Sequence, residues 1–276
     1  MKLSVILPAS NEQDWIGPCL QALLASDPVG MPAEVLVIAN ACHDGTVAVA
    51  QAFQAKAQAA GWDLRVIELA EPGKLNALNV GDGLAQGDIR VYLDADVTVS
   101  PGLIAALARA LGGATGPAYA SGRPKVAKAG SWATRAYARF WSGMPFTQSV
   151  APGFGLFAVN AAGRARWGDW PAIISDDTYA RLQFSPEERI EVPHGYVWPM
   201  VEGFSRLVKV RRRQDAGVAE IAARWPDLIA HEGKAALGFS SVLRRAAADP
   251  VGFAVYAVVS LAVRTQAGSA AWVRGR

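Results

Sequence analysis

Cysteine is nearly missing: the 276 residues contain only Cys19 and Cys42. Two thiols exclude a disulfide scaffold and a Cys-rich zinc site, and they suit a reducing compartment. Histidine is nearly as scarce. His43, His194 and His231 are scattered without metal-ligand spacing, no Ser/His/Asp arrangement has a recognisable interval, and a GxSxG elbow is absent. Surface or core positions are the ordinary reading of all three, with His43 in the most polar setting. Charged residues make up only 18% of the chain against 51% hydrophobic, and the mean hydropathy is +0.16. That balance excludes disorder, and the length suits one large domain, or one and a half, with a substantial core. No secretory leader is expected: Leu3–Ala9 is apolar but runs at once into Ser10-Asn11-Glu12-Gln13-Asp14, without a small-residue cleavage region.

Charge is distributed unevenly. Met1–Ser205 carries 15 Lys+Arg against 19 Asp+Glu, whereas Arg206–Arg276 carries 12 against 5. An acidic body with a basic, apolar tail points to an anionic partner near the C-terminus, either a membrane surface or a phosphorylated ligand. A nucleic-acid partner is not expected, because the basic residues alternate with apolar runs and no recognition motif is present.

The first hundred residues alternate β-rich runs (Leu3–Leu7, Glu34–Ile38, Leu64–Leu69, Ile89–Leu93) with helical apolar spacing over Trp15–Ala25, Gly45–Ala60 and Leu75–Ala85. This alternation predicts a mostly parallel sheet with helices on both faces, whose ligands bind at the carboxyl ends of the strands. Three polar clusters then share one rim: Ala9–Glu12, Asn40–Thr46 and Asp94-Ala95-Asp96. Further on, a helix to about Leu111, a Gly-rich break, a strand from Ala118 to Arg123, an aromatic helix Trp132–Trp141 and the loop Pro152–Gly155 are expected.

Four segments carry candidate chemistry. If the fourth strand persists to Asp96, its period of two puts Asp94 and Asp96 on one face, a pair suited to a divalent cation shared with phosphate oxygens. Asp176 and Asp177 open a short helical pattern behind Ser175, where a capping role competes with general-base chemistry. Pro72-Gly73-Lys74 leads into a helix, so Lys74 and backbone amides could attract phosphate. Arg211-Arg212-Arg213 is the densest positive run, a solvated face or a partner for diphosphate or anionic lipid.

Taken in order, Val5-Ile6-Leu7-Pro8 with Asn11-Glu12, Asp44-Gly45-Thr46, Gly73-Lys74 with Ala77-Leu78-Asn79, Asp94-Ala95-Asp96-Val97 and Asp176-Asp177 resemble family 2 glycosyltransferases of the GT-A fold, over about residues 3–185. The resemblance implies an inverting transferase using a nucleotide-diphosphate sugar, a UDP-sugar first among donors, with Mn2+ or Mg2+. It implies that Pro8, Asn11, Glu12 and Asp44 line the nucleotide, with Asn40 near the base. Lys74 and Asn79 fall in the family's Lys/Asn block near the donor, and Arg212 or Arg213 would stabilise charge on the diphosphate. Asp94 would lie near ribose or metal, and Asp96 would be the principal metal ligand. Asp177, the second acid of the pair with Asp176, would deprotonate the acceptor hydroxyl. Where many members have an acidic pair after the second strand, this chain has Ala39-Asn40; the processive QxxRW motif is absent.

The expected organisation is a GT-A domain over 1–217, with a nucleotide-binding half (1–100) and an acceptor half (101–217), followed by a helical, apolar and basic extension over 218–276. Trp132, Trp141, Trp167, Trp170 and Trp198 of the second half could stack on sugars or fill a core. Pro250–Val263 is free of charge for 14 residues; at about 1.5 Å per residue it reaches about 21 Å, short of a roughly 30 Å hydrocarbon core. A helix lying in the membrane interface, through 235–265, stands beside a buried core helix or dimer contact. The corresponding place is the cytoplasm, on the inner face of the cell membrane, in cell-surface polysaccharide or glycolipid synthesis on a glycan or lipid-linked acceptor. The competing activities are sugar-phosphate nucleotidyl transfer and non-catalytic, membrane-associated nucleotide-sugar binding.

Overall fold

A computed structural model describes residues 1–233 and 238–265; residues 234–237 and 266–276, part of the expected basic extension, lie outside the described residues. The chain begins β1 (Leu3–Ala9), α1 (Ile16–Leu24), β2 (Ala33–Asn40), α2 (Thr46–Gln51), α3 (Gln54–Ala59), β3 (Trp62–Leu69), α4 (Lys74–Leu84) and β4 (Ile89–Leu93). It continues β5 (Thr98–Val99), α5 (Leu103–Gly112), β6 (Tyr119–Val126), α6 (Trp132–Trp141), β7 (Leu156–Asn160), α7 (Ala161–Arg164), α8 (Asp176–Leu182) and β8 (Arg189–Trp198). Three helices follow: α9 (Phe204–Arg224), α10 (Phe239–Ala248) and α11 (Pro250–Thr265).

All eight strands form one mixed sheet in the order β3-β2-β1-β4-β7-β6-β8-β5. The first four pair in parallel, as their spacing predicts; β7 then enters antiparallel to both β4 and β6. Every residue of β1 and β2 is buried. Their unbroken Val/Ile/Leu runs fit a sheet covered on both faces. Two of the three polar exceptions, Ser4 and Glu34, meet each other: the Ser4 hydroxyl donates to Glu34 at 2.6 Å, and Glu34 also accepts the Gln86 amide at 2.8 Å and pairs with Lys2 at 3.2 Å. On one face of the sheet an aromatic row crosses β4, β7 and β6, with Tyr92 stacked on Phe157 at 4.8 Å and Phe157 on Tyr119 at 5.5 Å.

Two local expectations are corrected. Gly45–Ala60 is not one helix: α2 and α3 are separated at Ala52-Phe53, where the Phe53 amide bonds three residues back to Ala50 and the ring packs against the main core. The fourth strand stops at Leu93. Beyond it the Asp94 amide donates to Gly155 and the Val97 amide closes a turn on Asp94, so Asp94 and Asp96 belong to a turn and not to one strand face.

No single helix among the described residues is long and apolar enough to cross a membrane. Helices α10 and α11 meet at a sharp corner, 120° between them. The inner face of α11 packs on α6, with Tyr256 stacked on Tyr137 at 5.5 Å and Phe253 against Phe140 at 5.6 Å. That face fulfils the core-helix reading of the apolar tail; the outer face is exposed.

Candidate active site

The carboxyl ends of β1, β2 and β4 and the start of α4 open onto a cavity of about 600 Å³. Pro8, Glu12, Asn40, Lys74, Asp94, Asp96, Asp176, Asp177 and Arg213, all anticipated from sequence, line it, together with Ser10 and Arg211. Asn11, Asp44, Asn79 and Arg212 do not.

Each absence has a structural reason. Asn11 adopts a left-handed conformation (φ 52°), and its side-chain oxygen accepts the His43 amide at 2.7 Å, tying the β1 loop to the β2 loop. Asp44 accepts the Thr46 amide at 3.0 Å at the start of α2. Asn79 is spent on the backbone of Trp170, accepting its amide at 2.7 Å and donating to its carbonyl at 3.3 Å. Arg212 turns away to the Ala262 carbonyl of α11 at 3.4 Å.

Asn40 lies on the wall but is 3% exposed, and its carboxamide is consumed by backbone: Nδ2 donates to the Ala9 carbonyl at 3.0 Å and Oδ1 accepts the Gly73 amide at 3.2 Å. One side chain thereby fixes three rim segments. Gly73, at φ +139°, begins α4 in a conformation that side chains rarely adopt, and delivers Lys74 to the cavity.

The opposite wall is carried back to this rim by α4 itself. Asn79 and the buried Asp82 clamp Trp170, whose indole N–H donates to Asp82 at 2.7 Å; Tyr92, Arg90 and Arg164 complete the shell of that carboxylate. The following loop is pinned on α9, where the Ile174 amide donates to Glu220 at 3.0 Å and Gly217 leaves room for Ser175. Asp176 and Asp177 emerge facing Lys74. Ser175 occupies the cap position of α8 without a side-chain capping bond, so the polar cluster is not explained by capping.

The Lys74 ammonium sits 2.9 Å from Asp94 and 2.8 Å from Asp176. Burial works against its charge, but Asp176 and Asp94 outweigh burial and the net shift of its pKa is upward. Asp177 is pushed up to about 6, by burial first and by the charge of Asp176 second, with Lys74 opposing. The buried Cys19 thiol is driven upward by burial and by the fields of Asp96, Asp94 and Glu12, which converge above it. It is an inert neighbour of an acidic rim.

Asp96 and Asp94 both line the cavity, and paired carboxylates are the donor type that a hard divalent cation takes. Among the described residues no three His, Cys, Asp or Glu side chains gather on one point. A hard cation bound through one or two carboxylates and otherwise by substrate phosphates needs no more.

The far half of the cavity is apolar: Tyr137, Trp141, Phe154, Trp198, Met200, Val201 and Leu207. Of the tryptophans singled out from sequence, Trp141 and Trp198 line this wall, Trp167 and Trp170 lie in a core cluster, and Trp132 is on the surface. Arg211, on the same wall, donates to Asp215 at 2.9 Å, Tyr256 at 3.3 Å and Tyr137 at 3.4 Å. Sequence reasoning missed Tyr137 and Arg211 as cavity residues; the signal for the first is the spacing of Tyr137 and Trp141, one helical turn apart.

The model of the family described as Glycosyl transferase family 2 matches residues 4–165. Glycosyltransferase AglE of Haloferax volcanii is 34% identical over 95 residues, which is 34% of this chain and 30% of that protein. Among solved structures, mannosyltransferase PcManGT from Pyrobaculum calidifontis, in complex with GDP-Man and Mn2+, matches 98% of this chain and 77% of its own at 24% identity, with a TM-score of 0.60. Glucosyl-3-phosphoglycerate synthase from Mycobacterium tuberculosis, in complex with Mn2+, UDP-Glc and phosphoglyceric acid, matches 81% of this chain and 79% of its own at 20% identity and TM-score 0.53. TarS 1–349 from S. aureus, in complex with UDP-GlcNAc, covers 96% and 92% at 17% identity and TM-score 0.54. At these identities the structural likeness speaks for the fold.

Proposed function

The chain belongs to glycosyl transferase family 2, has the GT-A fold and accordingly transfers a sugar, and we propose that it does so in one inverting displacement from a nucleotide-diphosphate sugar to an acceptor hydroxyl. The observation that carries this reading is the gathering of Asp96, Asp177 and Lys74 around one cavity. Displacing a nucleoside diphosphate builds oxocarbenium-like charge on the sugar and negative charge on the leaving phosphate. Lys74 and Arg213 supply fixed positive charge for that phosphate. Asp96, with Asp94, would hold Mn2+ or Mg2+, which when bound neutralises diphosphate charge as a Lewis acid. Asp177 takes the acceptor proton; a carboxylate raised to about 6 is more basic than an exposed one and still ionised at neutral pH.

A UDP-sugar remains the first donor to try, with GDP-sugars beside it: Asn40 offers the base no free carboxamide, and one solved relative holds GDP-Man and another UDP-GlcNAc. The apolar half of the cavity supports an acceptor with an aromatic-stacking or apolar portion, as a glycan or lipid-linked acceptor has. The test is incubation with a panel of nucleotide sugars, with and without Mn2+, and simple glycoside or lipid-linked acceptors, scored by nucleoside diphosphate release. Pyrophosphate release would overturn the reading in favour of nucleotidyl transfer. Donor binding without any turnover across the panel would overturn it in favour of a binding protein.

A further inference from the structure

We propose that the outer face of α10 and α11 is a docking surface for an anionic lipid bilayer, on which the chain lies without crossing it. This inference is independent of the sugar-transfer reading. Of the eleven exposed large hydrophobic residues among those described, four fall on these two helices: Leu243, Val251, Val258 and Leu261, at 54%, 54%, 53% and 61% exposure. Val251, Val258 and Leu261 are spaced seven and three apart, so they form one stripe on α11. The opposite face of α11 is already committed, with Val259 fully buried and Tyr256 and Phe253 on α6. The stripe is therefore not a core face awaiting a partner within the described chain.

Together the two helices have the length and composition of a bent span, but the 120° corner and the packing of the inner face of α11 on α6 favour a surface. α11 has 16 residues and neither helix passes as a span alone, while the 120° corner bends the pair away from a straight crossing. The corner is built in: Asp249 accepts from Arg139 at 2.9 and 3.1 Å and from the Gly252 amide at 2.9 Å. Exposed Arg244 and Arg264 flank the stripe, and the sequence from Arg206 onward holds 12 Lys+Arg against 5 Asp+Glu. An apolar stripe flanked by arginines matches an interface where aliphatic side chains enter the acyl boundary and guanidinium groups meet anionic headgroups. A second copy of the chain is a poorer occupant, because a two-fold contact through the stripe would bring the same arginines toward one another.

The test is co-sedimentation of the full chain with phosphatidylcholine vesicles containing about 30% phosphatidylglycerol, and with phosphatidylcholine alone. Wild type is expected on the mixed vesicles, with at least about tenfold weaker binding to neutral ones and loss of binding at high salt. V258E/L261E and, separately, R244E/R264E should each weaken binding by about tenfold or more, with circular dichroism and nucleoside diphosphate binding unchanged. Should the first variant fail to fold, the second decides. Wild type remaining in the supernatant with every vesicle overturns the proposal, as does folded variant protein that binds like wild type. So does a wild-type dimer, by light scattering, that V258E/L261E converts to monomer.

Discussion

Asp94 opens the turn after β4 and Asp176 opens α8, yet both carboxylates rest on one ammonium, 2.9 and 2.8 Å from Lys74. The lysine thus holds the rim at the end of β4 to the wall that carries Asp177. Replacing it with methionine leaves two carboxylates without their common partner and, in the proposed reaction, removes a cation for the diphosphate. K74M should weaken nucleoside diphosphate binding by about tenfold or more, since a charge-assisted bond contributes about 1.5–3 kcal/mol. Calorimetric titration of wild type and variant measures it. Because Lys74 opposes the upward shift of Asp177, the acidic limb of the activity profile should also move to higher pH.

In the proposed mechanism Asp177 sets that limb in the wild type. As a base it works only when ionised, so kcat/KM should fall as pH drops through about 6. D177N should lose about 100-fold or more in kcat while keeping donor affinity. Stability moves the other way. The folded pKa lies above the unfolded one, so the ionised side chain costs stability progressively from the unfolded value, about 3.9, up to about 6, and fully above it. At pH 7.5 D177N should melt higher than wild type, an advantage that shrinks as the pH approaches 4. Thermal melts across that range check the sign.

Asp96 is predicted to matter through the cation. D96A should remove the dependence of donor affinity on Mn2+, leaving the weak metal-free affinity that wild type shows after chelation. Titrating donor with and without Mn2+ separates this from a general loss of fold, which would abolish both.

Gly153 makes a test of packing beneath the site. It holds φ +75°, and an added Cβ would come within 1.7 Å of the Tyr119 hydroxyl, which is buried and has no hydrogen-bond partner among the described residues. G153A should destabilise by about 2–4 kcal/mol, from left-handed strain and overpacking together. Y119F should be close to neutral, because it deletes a buried hydroxyl that gains nothing from a partner. The double variant should recover part of the loss, and denaturant unfolding of all four proteins gives the coupling energy directly.

The parallel half of the sheet and the polar rim were legible because both follow from short-range rules: continuous Val/Ile/Leu runs make covered strands, and polar residues after such strands fall on one edge. Where the rim residues turn was not. Arg211, Arg212 and Arg213 are consecutive on α9, so they project about 100° apart. Arg211 and Arg213 border the cavity, while Arg212 is turned to a carbonyl of α11. Asn79 carries a donor-site pattern, but only the fold reveals that Trp170 has claimed its carboxamide. β7 and β8 escaped notice for a related reason. Their pairing is long-range, and five residues such as Leu156–Asn160 look alike in a strand or a buried loop.

The placement of β7 also limits how the chain can be cut. It sits between β4 and β6, antiparallel to both, so the first hundred residues supply no strand of their own on the far side of β4. A fragment stopping near residue 100 would bare the backbone of β4 along a flat apolar margin, a template for stacking with its own kind. Truncation at that point should yield an aggregate in place of a folded half, because the strand that covers the edge of β4 comes from Leu156–Asn160.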